Sequence, residues 1–411
     1  MVYENKFMAE TKYIIVGRFI DGSAAGVKRG VFLEVRDGCI TDIGSAADLS
    51  PDADLSVEDL SHCTVLPALV DCSVSLLQSP SVESAVRTAA EEAGPDVKTA
   101  TLKRHIRYCH GYGVLGLAVD DELPDLMKHC RNEMKAGNIV DIRLSARTGE
   151  HRGGTAEDSS SSMQYRRIFL SGNIEGGGQL DPHLDLNDMK ASLYRGNAGK
   201  TVAVANGVRA VKKALELGCD AIEQGYGMGE ENLRKMAADE VLWIPSVVRA
   251  KNSLDGSSSG GEVCCRFSQR YVAPGKAIPG AETFWKKVLS EQLEQLRLAR
   301  RIGVLTAVGT GAGCAGILHG ESMVEEIKLF MKAGYSLEEA ICCASENGAS
   351  FFAMNTLGAL TVGSRATFLS TRGTVKQLPR KLSYLEGVYV DGLPSRMYRK
   401  VPAKSSKKNL F

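Results

Sequence analysis

The middle of the chain alternates short apolar runs with longer amphipathic patterns, and this alternation constrains the fold more than any other feature. The runs at 114–119, 140–144 and 219–222 have the length and composition of buried strands. The patterns at 208–217 and 284–302 place apolar residues at helical spacing. Strands that alternate with helices form a parallel sheet, so the number of units predicts an α/β fold built on a (β/α)₈ TIM barrel.

Runs rich in β-forming residues at the two ends of the sequence predict a second, smaller domain. The runs 30–35 and 39–44 flank an Asp-Gly pair at 37–38, which is a strong hairpin signal. The runs 358–369 and 387–392 are predicted to return to the same domain. The predicted organisation is a discontinuous β-sandwich with the barrel inserted in it. Residues 1–66 form the first section of the sandwich, residues 67–357 the barrel, residues 358–400 the second section of the sandwich, and residues 401–411 a basic tail.

Composition excludes several classes of protein. The 411 residues include 50 Lys+Arg and 49 Asp+Glu, so the formal charge of +1 steers the chain to neither nucleic acid nor membrane. The polar start has no signal-peptide layout, and no apolar run is long enough to span a bilayer, so we expect a soluble cytoplasmic protein. The 11 cysteines are scattered without a C-x-x-C spacing, which favours reduced, buried thiols.

A buried strand near residue 70 carries the first indication of function. In the stretch V-L-P-A-L-V-D-C-S-V-S-L, residues 65–76, Ser73 and Ser75 share one face because side chains alternate along a strand. The stretch resembles V-L-P-G-L-I-D-x-H-x-H-L of the amidohydrolase superfamily, in the branch of imidazolonepropionases and Xaa-Pro dipeptidases. The resemblance implies that Ser73 and Ser75 occupy the positions of two histidines that bind metal.

Four further motifs extend the resemblance over nearly the whole chain. R-I-F-L-S-G resembles K-I-M-x-S-G, V-A-V-A-N-G resembles V-x-x-H-A-H-G, G-C-D-A-I-E-Q-G resembles A-G-V-D-S-I-E-H-G, and G-T-G-A-G resembles G-T-D-A-G. The resemblance implies zinc-assisted hydrolysis, because relatives use these motifs to hydrolyse carbon–nitrogen bonds other than peptide bonds in cyclic amides, and also to hydrolyse dipeptides. In this chain, however, another residue stands at every position where the resemblance implies a metal ligand. These positions are Ser73, Ser75, Arg167, Val204, Gln224 and Gly311. Zinc would have no suitable ligands there, so the sequence indicates no cofactor.

Some polar residues remain as candidates. His151, in T-G-E-H-R, resembles a substrate-contacting histidine of the family, and with Arg167 it is a candidate catalytic residue. Arg167 either binds an anion or pairs with a neighbouring acid, and we favour the ion pair. For His319 with Glu321 a helix-capping or structural role is favoured. Asp71 and Glu223 are expected to support the frame, and the candidate substrate-pocket residues are Ser73, Ser75, Asn206, Gln224 and Thr310.

Two segments depart from the expected pattern. The serine-rich segment 158–162 leaves little room for the barrel helix that is expected after Gly154. The Ser/Gly-rich segment 254–261 is predicted to be a mobile loop.

Three functional hypotheses follow from the substituted motifs. The first is a non-catalytic pseudoenzyme that binds a small molecule or a protein partner. The second is a metal-independent hydrolase, isomerase or lyase, and the third is a conventional amidohydrolase. The sequence names no substrate or partner and leaves open whether the chain forms a homo-oligomer.

Overall fold

The computed structural model describes residues 11–49, 56–120, 141–147, 164–172, 174, 199–257 and 280–398. Within them, two sheets of seven strands each organise the chain. The strands in chain order are β1 (Lys12–Phe19), β2 (Lys28–Arg36), β3 (Cys39–Ser45), β4 (Ser56–Pro67), β5 (Leu69–Val74), β6 (Val114–Val119), β7 (Asp141–Arg147), β8 (Tyr165–Phe169), β9 (Thr201–Ala205), β10 (Ala221–Gln224), β11 (Leu242–Ile244), β12 (Phe368–Arg372), β13 (Gly387–Val390) and β14 (Leu393–Pro394).

The second sheet in the chain is a nearly closed parallel barrel. Strands β5 to β11 lie side by side in chain order, and each neighbouring pair is parallel. The segment 304–312 takes the place of an eighth strand, since the Trp243 N–H donates to the Leu305 carbonyl (2.8 Å) and the Cys72 N–H donates to the Val308 carbonyl (3.0 Å). The predicted TIM-barrel fold is therefore confirmed.

In the described residues, helices follow strands β5, β9, β10 and β11 and the segment 304–312. They are α1 (Ser84–Glu91), α2 (Pro95–Gly111), α3 (Gly207–Glu216), α4 (Glu230–Ala238), α5 (Val247–Ser257), α6 (Ala281–Ile302), α7 (Glu321–Lys332), α8 (Leu337–Cys343) and α9 (Glu346–Phe351). Local sequence explains their ends. Helix α6 stops at Gly303, whose φ of 80° is the left-handed conformation that glycine adopts readily, and α8 begins at a capping box between Ser336 and Glu339.

The other sheet is mixed and contains strands from both ends of the described chain, in the order β14-β13-β12-β4-β1-β2-β3. Strand β4 pairs with β1 in parallel and with β12 antiparallel, and only one residue separates its last residue, Pro67, from the barrel strand β5. The sheet surrounds an apolar cluster of its own, which includes Ile14, Leu33 and Phe368. This is the sandwich of the predicted fold.

Several predicted elements differ in detail from the structure. The return strand expected over 358–369 contributes only Phe368 and Leu369 to β12, because the preceding residues form turns against β3. The mobile loop predicted at 254–261 begins inside helix α5, which continues to Ser257. The rest of that predicted loop lies outside the described residues. No helix in the described residues is long and apolar enough to cross a membrane.

Candidate functional site

The carboxyl ends of the barrel strands surround a small cavity, which is the candidate site. Side chains near the last residues of parallel strands converge at this face of a TIM barrel. The cavity measures about 40 Å³, and its wall includes Ser73 and Ser75 from the end of β5, Arg167 from β8, Glu223 from β10 and Thr310 from the segment that closes the barrel. A space of this size holds about one water molecule.

An ion-pair cluster around Arg167 forms the centre of the site. This side chain is buried, with 7% of its residue surface exposed. Its Nε donates to Oε2 of Glu223 at 2.8 Å and its Nη2 donates to Oε1 at 2.6 Å, so the contact is bidentate. Its Nη1 donates to Oδ2 of Asp120. Burial alone would lower the pKa of Arg167, but the charges of Glu223 and Asp120 outweigh burial and raise the pKa, so the residue stays cationic.

Asp71, two residues before Ser73 on β5, is a buried carboxylate with hydrogen bonds but no ion pair in the described part of the chain. Its Oδ1 accepts from the backbone N–H groups of Thr310 (2.8 Å) and Ser73 (3.2 Å), and its Oδ2 accepts from Oγ1 of Thr310 (2.6 Å). Burial raises the pKa of Asp71 to about 7, against the opposing effect of these hydrogen bonds. Asp71 therefore joins β5 to the segment that closes the barrel.

Neutral amides occupy two further positions at which the family resemblance implies histidines. Nδ2 of Asn206 donates to Oε1 of Gln224 at 2.7 Å, and Oδ1 of Asn206 accepts from the Tyr226 N–H at 3.1 Å. Gln224 has a φ of 71°, which is unfavourable for a residue other than glycine, and its carbonyl accepts from Trp243 and from Gln292. The two amides are therefore held in one hydrogen-bonded network.

Glu326 of helix α7 is a second buried carboxylate beside the site. It accepts hydrogen bonds from the backbone N–H groups of Val247 (2.7 Å) and Val248 (2.5 Å), which begin helix α5. Burial raises the pKa of Glu326 to about 8. The contact holds the start of α5, and with it the cavity-wall residue Arg249, against the barrel.

His319 lies behind the candidate site. The N-cap of α7 is Gly320 and no described side chain caps that helix, so of the capping or structural role predicted for His319 the contacts fit the structural one. Nε2 of His319 lies 2.7 Å from the Ser75 carbonyl, and its ring stacks on His105 with 3.8 Å between centroids. Burial lowers the pKa of His319 to about 3, so the neutral ring donates to that carbonyl.

The donor atoms at the implied ligand positions do not fit zinc. The Ser73 hydroxyl donates to Oε1 of Glu223 at 2.7 Å, Val204 is apolar, and Gly311 has no side chain. Zinc sites use three or more imidazole, thiolate or carboxylate ligands on a fixed frame. No group of three His, Cys, Asp or Glu side chains with a suitable arrangement occurs among the described residues.

Five polar residues of the cavity wall were missed by sequence reasoning: Gln78, Asp120, Ser246, Arg249 and Cys314. Asp120 directly follows β6, and the rule that functional groups follow barrel strands should have identified it. No sequence signal distinguishes Arg249 or Cys314. The candidate His151 lies outside the described residues, as do the serine run 159–162, the helix position after Gly154, and the tail 401–411.

A larger cleft of about 570 Å³ opens at the opposite end of the barrel. Its wall includes Lys200, Asp220 and Glu240, which precede strands β9, β10 and β11. In TIM barrels this amino-terminal face contributes to stability, whereas reactive groups stand at the carboxyl ends. We therefore place the candidate site at the smaller cavity.

Comparison with known proteins supports this fold. Residues 203–393 match the sequence model of the amidohydrolase family. The structure is similar to a Xaa-Pro dipeptidase with bound methionine in its active site (TM-score 0.74, 19% identity, covering 93% of this chain and 99% of that one). It also resembles a putative prolidase from Bifidobacterium longum (0.72, 19%, 96% and 96%) and molinate hydrolase (0.72, 15%, 98% and 99%). No curated protein matches the chain in sequence.

Fold and sequence point to the same resemblance, with the sequence match covering residues 203–393. The chain has the composite fold of the amidohydrolase superfamily, in which a TIM-like barrel is combined with a small β-sandwich. The resemblance that the motifs predict is confirmed by the family match and by the prolidase-like and Xaa-Pro dipeptidase-like structures.

Proposed function

We propose that this chain is a non-catalytic relative of the amidohydrolases, which keeps the barrel to bind a small molecule or a protein partner. The observation that carries the proposal is that polar atoms at the substituted positions are engaged in hydrogen bonds with neighbouring side chains. Ser73 donates to Glu223, and Asn206 donates to Gln224. Donor and acceptor atoms that satisfy each other in this way are not arranged around a common metal position.

Metal-independent hydrolysis has weaker support. Ser73 and Glu223 have the spacing of a nucleophile and a base, with 2.7 Å between Oγ and Oε1. Both oxygens of Glu223, however, also accept hydrogen bonds from the Arg167 guanidinium. A carboxylate paired with a cation is a poor general base, because its negative charge is stabilised where it stands. The geometry therefore favours the non-catalytic proposal.

The retained fold suggests where binding occurs. The structural relatives include a Xaa-Pro dipeptidase, a putative prolidase and molinate hydrolase, and we propose by analogy that this chain also binds at the mouth of its barrel. A described cavity of about 40 Å³ is far smaller than the roughly 300–1,000 Å³ of ordinary ligand pockets. A small molecule would therefore have to displace side chains at the cavity, whereas a protein partner would contact the rim of the barrel.

Metal content and hydrolysis test the proposal together. The metal bound to protein purified without chelator or nickel resin is measured by elemental mass spectrometry, and the protein is then assayed on Xaa-Pro dipeptides and cyclic amides with and without added zinc. We expect far less than one zinc per chain and no turnover. Stoichiometric zinc with turnover that Glu223→Gln abolishes would refute the proposal.

A further inference from the structure

The guanidinium of Arg167 joins barrel strands that are not neighbours in the sheet. Arg167 belongs to β8, and it contacts Glu223 on β10 and Asp120 directly after β6. Glu223 in turn accepts from Ser73 on β5. Strands β5 and β8 are separated by two other strands in the sheet, so the cluster crosses the mouth of the barrel.

The charges of this cluster require a cation at its centre. Glu223 has 2% of its surface exposed, and the Asp120 side chain 15%, so little water reaches their negative charges. Two carboxylates this close together and this poorly solvated repel one another unless a positive group lies between them. The family resemblance implies metal ions at this position, and here Arg167 supplies the positive charge.

We infer that Arg167 is a built-in cation, which replaces the metal ions of the family as the group that holds the carboxyl ends of the barrel strands together. The inference rests on the proposed function, because it describes a site that is complete without a metal. Arginine suits the role better than lysine, since its planar group donates to Glu223 in a bidentate contact and to Asp120 from a third nitrogen.

Chemical rescue tests the inference. Arg167→Ala removes the guanidinium and leaves a space beside Glu223 and Asp120, so we expect the melting temperature to fall by about 5 °C or more. Guanidinium chloride at about 20 mM, too dilute to weaken folding measurably, should recover part of this loss by entering the space. Sodium chloride at the same concentration should not.

Matched variants separate this role from a general loss of packing. Arg234→Ala removes an exposed arginine that pairs with Glu230, and its melting temperature should change little and show no recovery with guanidinium. Arg167→Ala/Glu223→Gln also removes the negative charge that lost its bidentate partner, and it should be more stable than Arg167→Ala alone. If the single variant does not fold, a folded double variant supports the inference.

Three outcomes would overturn the inference: an Arg167→Ala variant as stable as the wild type, an equal response of both single variants to guanidinium, or a double variant no more stable than Arg167→Ala. These outcomes are distinct from failure of the proposed function, because that proposal is tested by the zinc content and the hydrolytic turnover of the wild-type protein. A stable Arg167→Ala variant would refute only the built-in cation.

Discussion

Two sides of the barrel mouth hold a buried carboxylate in different ways. On the Asp71 side, the carboxylate accepts from one hydroxyl and two backbone N–H groups, and its pKa is raised to about 7 by burial. On the Glu223 side, the carboxylate has a bidentate contact with the Arg167 guanidinium. Neutral donors thus hold one buried acid, whose pKa burial raises, whereas a fixed cation in bidentate contact holds the other.

Breaking the ion pair should cause the greatest loss of stability. Glu223→Gln leaves the buried Arg167 with Asp120 as its remaining acidic partner, and we expect the free energy of unfolding to fall by about 3 kcal/mol. Urea unfolding measures the change. Glu230→Gln is the control, because it removes an exposed partner of Arg234 and should cost less than about 0.5 kcal/mol. Equal losses in the two variants would contradict the importance of burial.

The pH dependence of stability tests the two buried carboxylates whose hydrogen-bond donors in the described residues are neutral. Asp71 and Glu326 have pKa values of about 7 and about 8 when folded, against ordinary values of 3.8 and 4.5. Unfolding therefore releases protons, so the free energy of unfolding should fall by about 2 kcal/mol as the pH rises from about 6.5 to about 8. Below about 6.5 the lowered pKa values of His105, His110 and His319 act in the opposite direction.

Denaturant titrations across this pH range measure the slope. Asp71→Asn and Glu326→Gln should each flatten it, since each variant removes one group that loses its proton on unfolding. A wild-type protein whose stability rises between about pH 6.5 and about pH 8 would contradict the raised pKa values.

A smaller change is expected from the hydroxyl that supports Asp71. Thr310→Val keeps the shape of the side chain but removes its 2.6 Å hydrogen bond to Oδ2, so stability at pH 8 should fall by about 1–2 kcal/mol. Because that bond favours the charged carboxylate, the pKa of Asp71 should rise further. The variant should therefore lose less stability at about pH 5.5, and an equal loss at both pH values would show that Asp71 is not affected.

The weakest response is expected beside Glu223, at Gln224. Gln224→Gly relieves a positive φ of 71° but loses the hydrogen bond from Asn206, and each contribution is on the order of 1 kcal/mol. We expect a net change within about 1 kcal/mol by urea unfolding. Gln224→Ala keeps the strained φ and loses the bond, so it should be the less stable of the two variants.

Much of the fold could be predicted from the sequence because periodicity and motif order are local properties of a chain. Helix α3 lies within one residue of the predicted range 208–217, and the motifs placed Ser73, Arg167, Glu223 and Thr310 at strand ends that the structure brings to one cavity. The sequence could not show that Arg167 is bidentate on Glu223, nor that Asp120 joins them, because those contacts depend on the curvature of a closed sheet.

The class of fold and the substitution of every implied metal ligand follow from the amino-acid sequence, because both depend only on which residue stands at which position. How the substituted site is filled follows from the packing of the folded chain. Ser73 and Arg167 are 94 residues apart by their numbering, and only the arrangement of β5, β6, β8 and β10 around one axis brings both to Glu223. Burial there removes water from the charges, which makes their pairing a requirement of the folded chain.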